Sequence, residues 1–144
     1  MPTDATRHAA EIARDCMASR VRRLERALTR IYDDALRGHG LTGSQLAMLV
    51  AAQLMGQTTA TAIGGRLDLE KSTVSRNLAR LAAAGLVDLS DGVRITARGT
   101  AAIAACHPAW RDAQRQARKT LHPTEGRLIA RLRGHLPPPP SDDR

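Results

Sequence analysis

Phe is absent from the sequence, and Tyr32 and Trp110 are its only other large aromatic side chains. A core must therefore be assembled from Leu, Ala, Ile and Val, which suits helices packed through aliphatic stripes. Stacking on unpaired bases loses its usual residues, which argues against RNA and single-stranded DNA as targets. Two cysteines, Cys16 and Cys106, are too few for a disulfide framework, so a reducing cytoplasm is the expected setting. Long apolar runs are missing as well. Arg7, Glu11, Arg14 and Asp15 interrupt the N-terminal segment, leaving neither a secretory signal nor a membrane span. Enzyme signatures are lacking too: there is no phosphate loop, paired acid–base dyad or nucleophile elbow. Cys106-His107 has no CxxC or HxxxH companion, and adjacent helical residues point about 100° apart, so neither metal nor cofactor is expected. Acidic residues are also in short supply, 14 against 22 Lys and Arg, which leaves a formal charge of +8. That surplus favours a polyanionic partner, because each phosphate neutralised releases condensed counterions.

What is present is concentrated in residues 58–96. A short helix should carry Ile63 and Leu67 on its apolar side and turn sharply at Asp68 and Leu69. A second helix then opens with Lys71, Ser72, Thr73, Ser75, Arg76 and Asn77 and buries Val74, Leu78 and Leu81, which recur at helical spacing. It stops at Gly85. Two helices of this size, the second with a polar outer face, are the parts of a helix-turn-helix, whose second helix enters the DNA major groove. Val87–Ser90 and Val93–Thr96 flank Asp91-Gly92, a strong two-residue hairpin signal, so a wing follows. The pattern implies sequence-specific recognition of double-stranded DNA.

Upstream, residues 4–37 read as one continuous helix. Ile12, Cys16, Leu24, Leu28, Ile31 and Ala35 form its apolar stripe, Arg14, Arg22, Arg23, Arg26 and Arg30 cover other faces, and Gly38 and Gly40 end it. Thr42 and Gln45 make a capping-box pair for a helix that should bury Leu46, Leu49, Val50 and Leu54 and close at Gly56. Downstream, Thr96 is a natural N-cap for a helix running to about Leu121, with a kink or break expected at Pro108. Pro123 opens a last helix with Leu128, Ile129, Leu132 and Leu136 on one side, and residues 137–144 form a polyproline-like tail. The expected fold is mainly α with a small β wing. Residues 1–37 and 97–136 would supply dimerisation helices around a winged helix-turn-helix at 41–96. Apolar stripes without a local partner call for a second copy, and a homodimer matches the two-fold symmetry of typical operators.

Ile63-Gly64-Gly65-Arg66-Leu67, the run Leu69 to Arg76, the run Leu81 to Val87, and Ile95-Thr96-x-x-Gly99, set between two helical arms, resemble the MarR family of bacterial transcription regulators. The resemblance covers nearly all of residues 8–136. It implies a winged-helix dimer that represses or activates promoters, often its own, and that in many members is released by a small aromatic acid or by cysteine oxidation. The helix from about Glu70 to Ala84 would then lie in the major groove. Arg76 fits a bidentate contact to guanine and Asn77 a pairing with adenine, while Ser72 and Thr73 bring hydroxyls to bases or phosphates. Ser75 and Arg76 face the groove if Val74 and Leu78 face the core, and Lys71 and Arg80 are assigned to phosphates. The wing departs from the family pattern of a longer loop with acidic residues and arginines. Only Arg94, with Arg98 just beyond, is available, and Arg94 is expected on sugar or phosphate rather than deep in the minor groove.

Cys16 is the candidate redox sensor. The organic-peroxide-sensing branch of the family carries its reactive cysteine in the first helix, although the tyrosines it uses from the next helix have no counterpart here. Arg20 or Arg23 would supply the positive neighbour that lowers a thiol pKa. A ligand pocket for a small aromatic or anionic molecule is expected where the dimer arms meet the winged region. Its candidates are Tyr32, His39, Trp110, Leu46 and Leu49, with Arg20 or Arg111 for an anion. The reading is a dimeric MarR-type repressor, with a constitutive or architectural DNA-binding protein as the alternative.

Overall fold

Packing around one helix organises the chain. The computed structural model describes residues 1 and 3–131, so the expectations for Leu132, Leu136 and residues 137–144 lie outside the described residues. Within them run α1 (Asp4–Asp15), α2 (Met17–Leu36), a 3-10 turn (Arg37–His39), α3 (Gly43–Met55), α4 (Ala60–Leu67) and α5 (Lys71–Ala83). Strands β1 (Val87–Asp88) and β2 (Arg94–Ile95) follow, then α6 (Ala97–Thr120) and α7 (Pro123–Arg131). Helix α3 touches α2, α4, α5, α6 and β2. Its small residues Ala51 and Ala52 are buried, which lets neighbouring backbones approach. Leu36, Met48, Leu49, Ile63, Val74, Leu81, Val93 and Cys106 are closed to solvent around it. Each large aliphatic among them contributes roughly 1.5–3 kcal/mol by burial. The ion pairs Arg7–Asp4, Arg14–Asp15, Arg20–Asp15, Arg37–Asp34 and Arg115–Asp112 are all more than half exposed, and such pairs are worth about 0–1 kcal/mol each. Aliphatic packing therefore dominates. No helix among the described residues is long and apolar enough to cross a membrane.

Four local expectations are revised. The segment 4–37 is two helices, because Cys16 takes an extended conformation (ψ 106°) between them. The Cys16 N–H closes α1 on the Ile12 carbonyl, and the Cys16 carbonyl accepts from Arg20 N–H in α2. Arg20 also donates to the Arg14 carbonyl at 2.7 Å, satisfying an orphan acceptor at the α1 terminus. Second, Val50 and Leu54 are exposed on α3, while Gln45, Met48, Ala51 and Ala52 turn inward, because neighbours surround that helix on several sides. Third, Ala97–Thr120 is assigned as one helix straight through Pro108. Ala104 and Pro108 are both exposed, so the carbonyl that loses its donor is open to water.

Fourth, the hairpin is not a two-residue turn. A type I′ turn needs positive φ at both central residues, yet only Gly92 (φ 75°) has it, and Asp91 does not. The strands pair Val87 with Ile95 and Asp88 with Arg94, leaving Leu89–Val93 as the loop. Val93 exchanges two backbone hydrogen bonds with Thr58, at 3.0 and 2.8 Å. This draws the returning leg toward the α3–α4 connection. A Cβ on Gly92 would sit 2.5 Å from the Thr58 carbonyl oxygen, so the contact itself requires glycine.

The caps are as expected. Thr42 accepts from Gln45 N–H and the Gln45 side chain accepts from Thr42 N–H, completing the α3 capping box. Thr96 accepts from Gly99 N–H to start α6 and donates to the Gly85 carbonyl at 2.7 Å. Gly99 has a separate reason to be small: a Cβ there would lie 2.1 Å from the Leu86 carbonyl oxygen. Gly99→Ala should therefore lower stability by about 1–3 kcal/mol, the usual cost of overpacking against backbone. Urea unfolding at fixed protein concentration reads this directly, and an unchanged midpoint would contradict it.

Candidate nucleic-acid interface

The helix-turn-helix is held together by a short path between α4 and α5. Thr59 caps α4 by accepting from Ala62 N–H. Asp68 enters the left-handed region at φ 53°, and Leu69 N–H donates back to the Gly64 carbonyl at 3.0 Å. Gly64 permits this approach, since a Cβ there would press on Leu69 O and Val74 Cγ2 at 3.3 Å each. Helix α5 begins after Glu70 without a side-chain cap, so the N–H groups of its first turn remain free.

Val74, Leu78 and Leu81 bury one side of α5. Helical geometry then carries Ser72, Ser75, Arg76 and Arg80 onto the outer side, and all four are exposed, as is Lys71 at the N-terminus. Lys71, Arg76 and Arg80 make no ion pair among the described residues. Their charge is thus available to an external anion. Thr73 and Asn77 sit apart from this group, half-buried on the flank facing α3. Asn77 uses both ends of its amide internally. Its Oδ1 accepts from Gln45 Nε2 at 3.3 Å, and its Nδ2 donates to the Thr73 carbonyl at 3.1 Å. The structure therefore does not place Asn77 among the free polar groups that an adenine contact requires.

In the wing, Arg94 is exposed and donates to Gln57 Oε1. Gln57 Nε2 in turn donates to the carbonyl and the carboxylate of Asp91. One glutamine thus ties the tip of the hairpin to its returning strand. The Asp88 carboxyl is held below its ordinary pKa chiefly by hydrogen bonds from Ser90, with a smaller contribution from Arg94. Arg98 is exposed on the first turn of α6, its Cδ close to Gly85.

Away from this face, α2, α3 and α6 border an apolar groove of about 960 Å³. Leu24, Leu28, Tyr32, Leu46, Trp110 and Ile129 line it. Tyr32 and Trp110 thus line the same groove, whereas His39 stands exposed in the 3-10 turn and Leu49 is sealed in the core. Burial raises the Tyr32 pKa. His107 stacks on Trp110 with centroids 5.8 Å apart, while Cys106 faces the core, its thiol pKa raised by desolvation. Cys16 differs. It occupies the N-cap of α2, and hydrogen bonds from Ser19 hold its pKa below the ordinary thiol value. Backbone N–H of Ala18 and the charge of Arg22 add to this. Arg20, one of the two neighbours expected in that role, instead spends its guanidinium on Arg14 and Asp15.

The MarR-family profile matches residues 39–94, the segment from the 3-10 turn to β2 that includes α4 and α5. The transcriptional regulator MosR of M. tuberculosis is similar in structure (TM-score 0.68) and 32% identical, over 84% of this chain and 94% of that one. The chain belongs to the MarR family. The same regulator in complex with DNA is 33% identical over 82% of this chain and 94% of that one, with a TM-score of 0.68. A probable transcriptional regulator from Pseudomonas aeruginosa gives a TM-score of 0.72 at 25% identity, covering 87% of this chain and 99% of that one. Among curated proteins none matches the chain.

Within this MarR-family fold, two glutamines make long-range hydrogen bonds that the sequence does not announce. Gln45 was read only as a capping residue, and Gln57 carried no signal, since glutamines at these positions reveal nothing of partners more than 30 residues away. The two thiols generate a prediction. Because the thiolate is the nucleophile, Cys16 should alkylate with iodoacetamide at lower pH than a free thiol of ordinary pKa, and Cys106 only at higher pH or on unfolding. Mass spectrometry of the labelled peptides across pH checks the order; simultaneous labelling would refute it.

Proposed function

We propose that the chain is a homodimeric repressor that reads an inverted-repeat operator through α5. The observation that carries this is the outer side of α5, where Ser72, Ser75 and Arg76 are exposed and Arg76 has no ion-pair partner among the described residues. Arg76 would take guanine bidentately while the serine hydroxyls adjust to neighbouring bases. Lys71, Thr73 and Arg80 would position the helix on phosphates, with Arg94 and Arg98 on the sugar–phosphate backbone beside the wing. The uncapped first turn of α5 suits a phosphate as well.

Dimerisation rests on the two arms. Among the described residues, none in α1 or α7 is fully buried, and Ile12, Met17, Val21 and Leu128 are exposed. A second copy would cover them and set two α5 helices about one DNA turn apart. Release would follow from a small molecule in the groove or from oxidation of Cys16. Among the described residues Glu25 is the one formally charged side chain lining the groove, so an aromatic ligand fits it better than an anion does. The second reading, a constitutive DNA-binding protein acting in the cytoplasm without a signal, is favoured by the short wing tied down by Gln57.

Selection from a random duplex pool at two salt concentrations tests the proposal. The expected product is an inverted repeat with half-sites about one helical turn apart. Arg76→Ala should relax preference at one position per half-site and cost about 1–3 kcal/mol. Equal binding to every duplex, or a monomer in solution, would contradict it. Adding oxidant or aromatic acids to the selected complex separates a sensing repressor, which lets go, from a constitutive binder, which does not.

A further inference from the structure

We infer that Gln45 is a positioning residue for DNA reading: acting through Asn77, it sets the rotation of α5 and holds the Asn77 amide away from the base edges. The inference rests on the reading of α5 given above. Gln45 is the one buried polar side chain among the described residues, at 7% exposure, and it is satisfied at both ends. Its Oε1 accepts from Thr42 N–H at 3.0 Å, and its Nε2 donates to Asn77 Oδ1 at 3.3 Å.

Chemistry decides how this pair must be oriented. The Thr73 carbonyl can only accept, so the Asn77 Nδ2 turns toward it and Oδ1 turns toward α3. Oδ1 then needs a donor. Gln45 supplies one, whereas Glu would complete the capping box yet set acceptor against acceptor. A methionine would fill the space and lose both hydrogen bonds. The other side of the same turn is also anchored, since the Gly43 N–H donates to Asp33 Oδ1 of α2 at 2.8 Å. The start of α3 therefore bridges the long N-terminal arm and the reading helix.

Rotation matters because base contacts tolerate little error. A turn of about 20° sweeps an atom at the ~5–6 Å outer radius of a helix by about 2 Å. Productive recognition geometry holds to within about 0.5 Å. Val74, Leu78 and Leu81 are aliphatic and non-directional, so they restrain rotation less sharply than a hydrogen bond between fixed partners.

The test is a double-substitution cycle on the full chain with the selected operator. Wild type, Gln45→Met, Asn77→Leu and the double variant are compared for operator affinity, non-specific affinity and base preference. Gln45→Glu serves as the near-isosteric control, and thermal melts verify folding. Gln45→Met and Asn77→Leu should each weaken operator binding about tenfold, the scale of the Gln45–Asn77 hydrogen bond that both remove. Non-specific binding should change little, and preference should relax at the position read by Arg76. The double variant should be no worse than the more severe single, and Gln45→Glu should behave like Gln45→Met. If Gln45→Met does not fold, Asn77→Leu and Gln45→Glu carry the same comparison. Additive losses, or an equal loss on non-specific DNA, overturn the coupling. So does an adenine preference lost in Asn77→Leu but kept in the Gln45 variants. A wild type that selects no sequence overturns the reading of α5 itself.

Discussion

The burial of Val74, Leu78 and Leu81 against the core around α3 is the constraint on which the exposed side of α5 depends. A helix has one circumference, and committing that side inward decides what remains outside. Ser72, Ser75, Arg76 and Arg80 are turned to solvent by their neighbours' hydrophobicity rather than by any contact of their own. The energy scale agrees. Each buried aliphatic contributes roughly 1.5–3 kcal/mol, more than an exposed ion pair can return. Lys71, Arg76 and Arg80 on that outer side make no ion pair among the described residues, which leaves their charge exposed.

Around that seat, the chain uses close backbone approach where a bulkier protein would use aromatic wedges. Gly64 lets Leu69 O and the Val74 side chain approach α4, Gly92 lets Thr58 approach the wing, and Gly99 admits the Leu86 carbonyl. Threonines cap α1, α3, α4 and α6, so four helix starts are satisfied locally. The result is a closely packed winged unit of the MarR family. Beside it stand two arms, α1 and α7, in which no residue is fully buried among the described residues.

Much of this was legible in advance because it is local. The capping pairs Thr42/Gln45 and Thr96/Gly99, the three anchors of α5 and the turn at Asp68 all lie within a few residues of their partners. What was misread is equally instructive. The break at Cys16 occupies a single extended residue, too little to disturb a helical periodicity. Val50 and Leu54 sit on a plausible stripe, but α3 has neighbours on several sides, and which stripe turns inward depends on them. Asp91-Gly92 signals a tight hairpin, yet Thr58, far upstream, pairs with Val93 and opens the loop.

By itself, the sequence determined the helix-turn-helix, its aliphatic seat and its surplus of positive charge, since periodicity, caps and net charge are properties of neighbouring residues. Only the tertiary structure decided that Asn77 answers to Gln45, that Gln57 ties Asp91 at the hairpin tip to Arg94, and that Tyr32 and Trp110 share one groove without His39. Those relations join residues tens of positions apart. A side-chain amide reveals its partner only once packing has brought the two within hydrogen-bond distance.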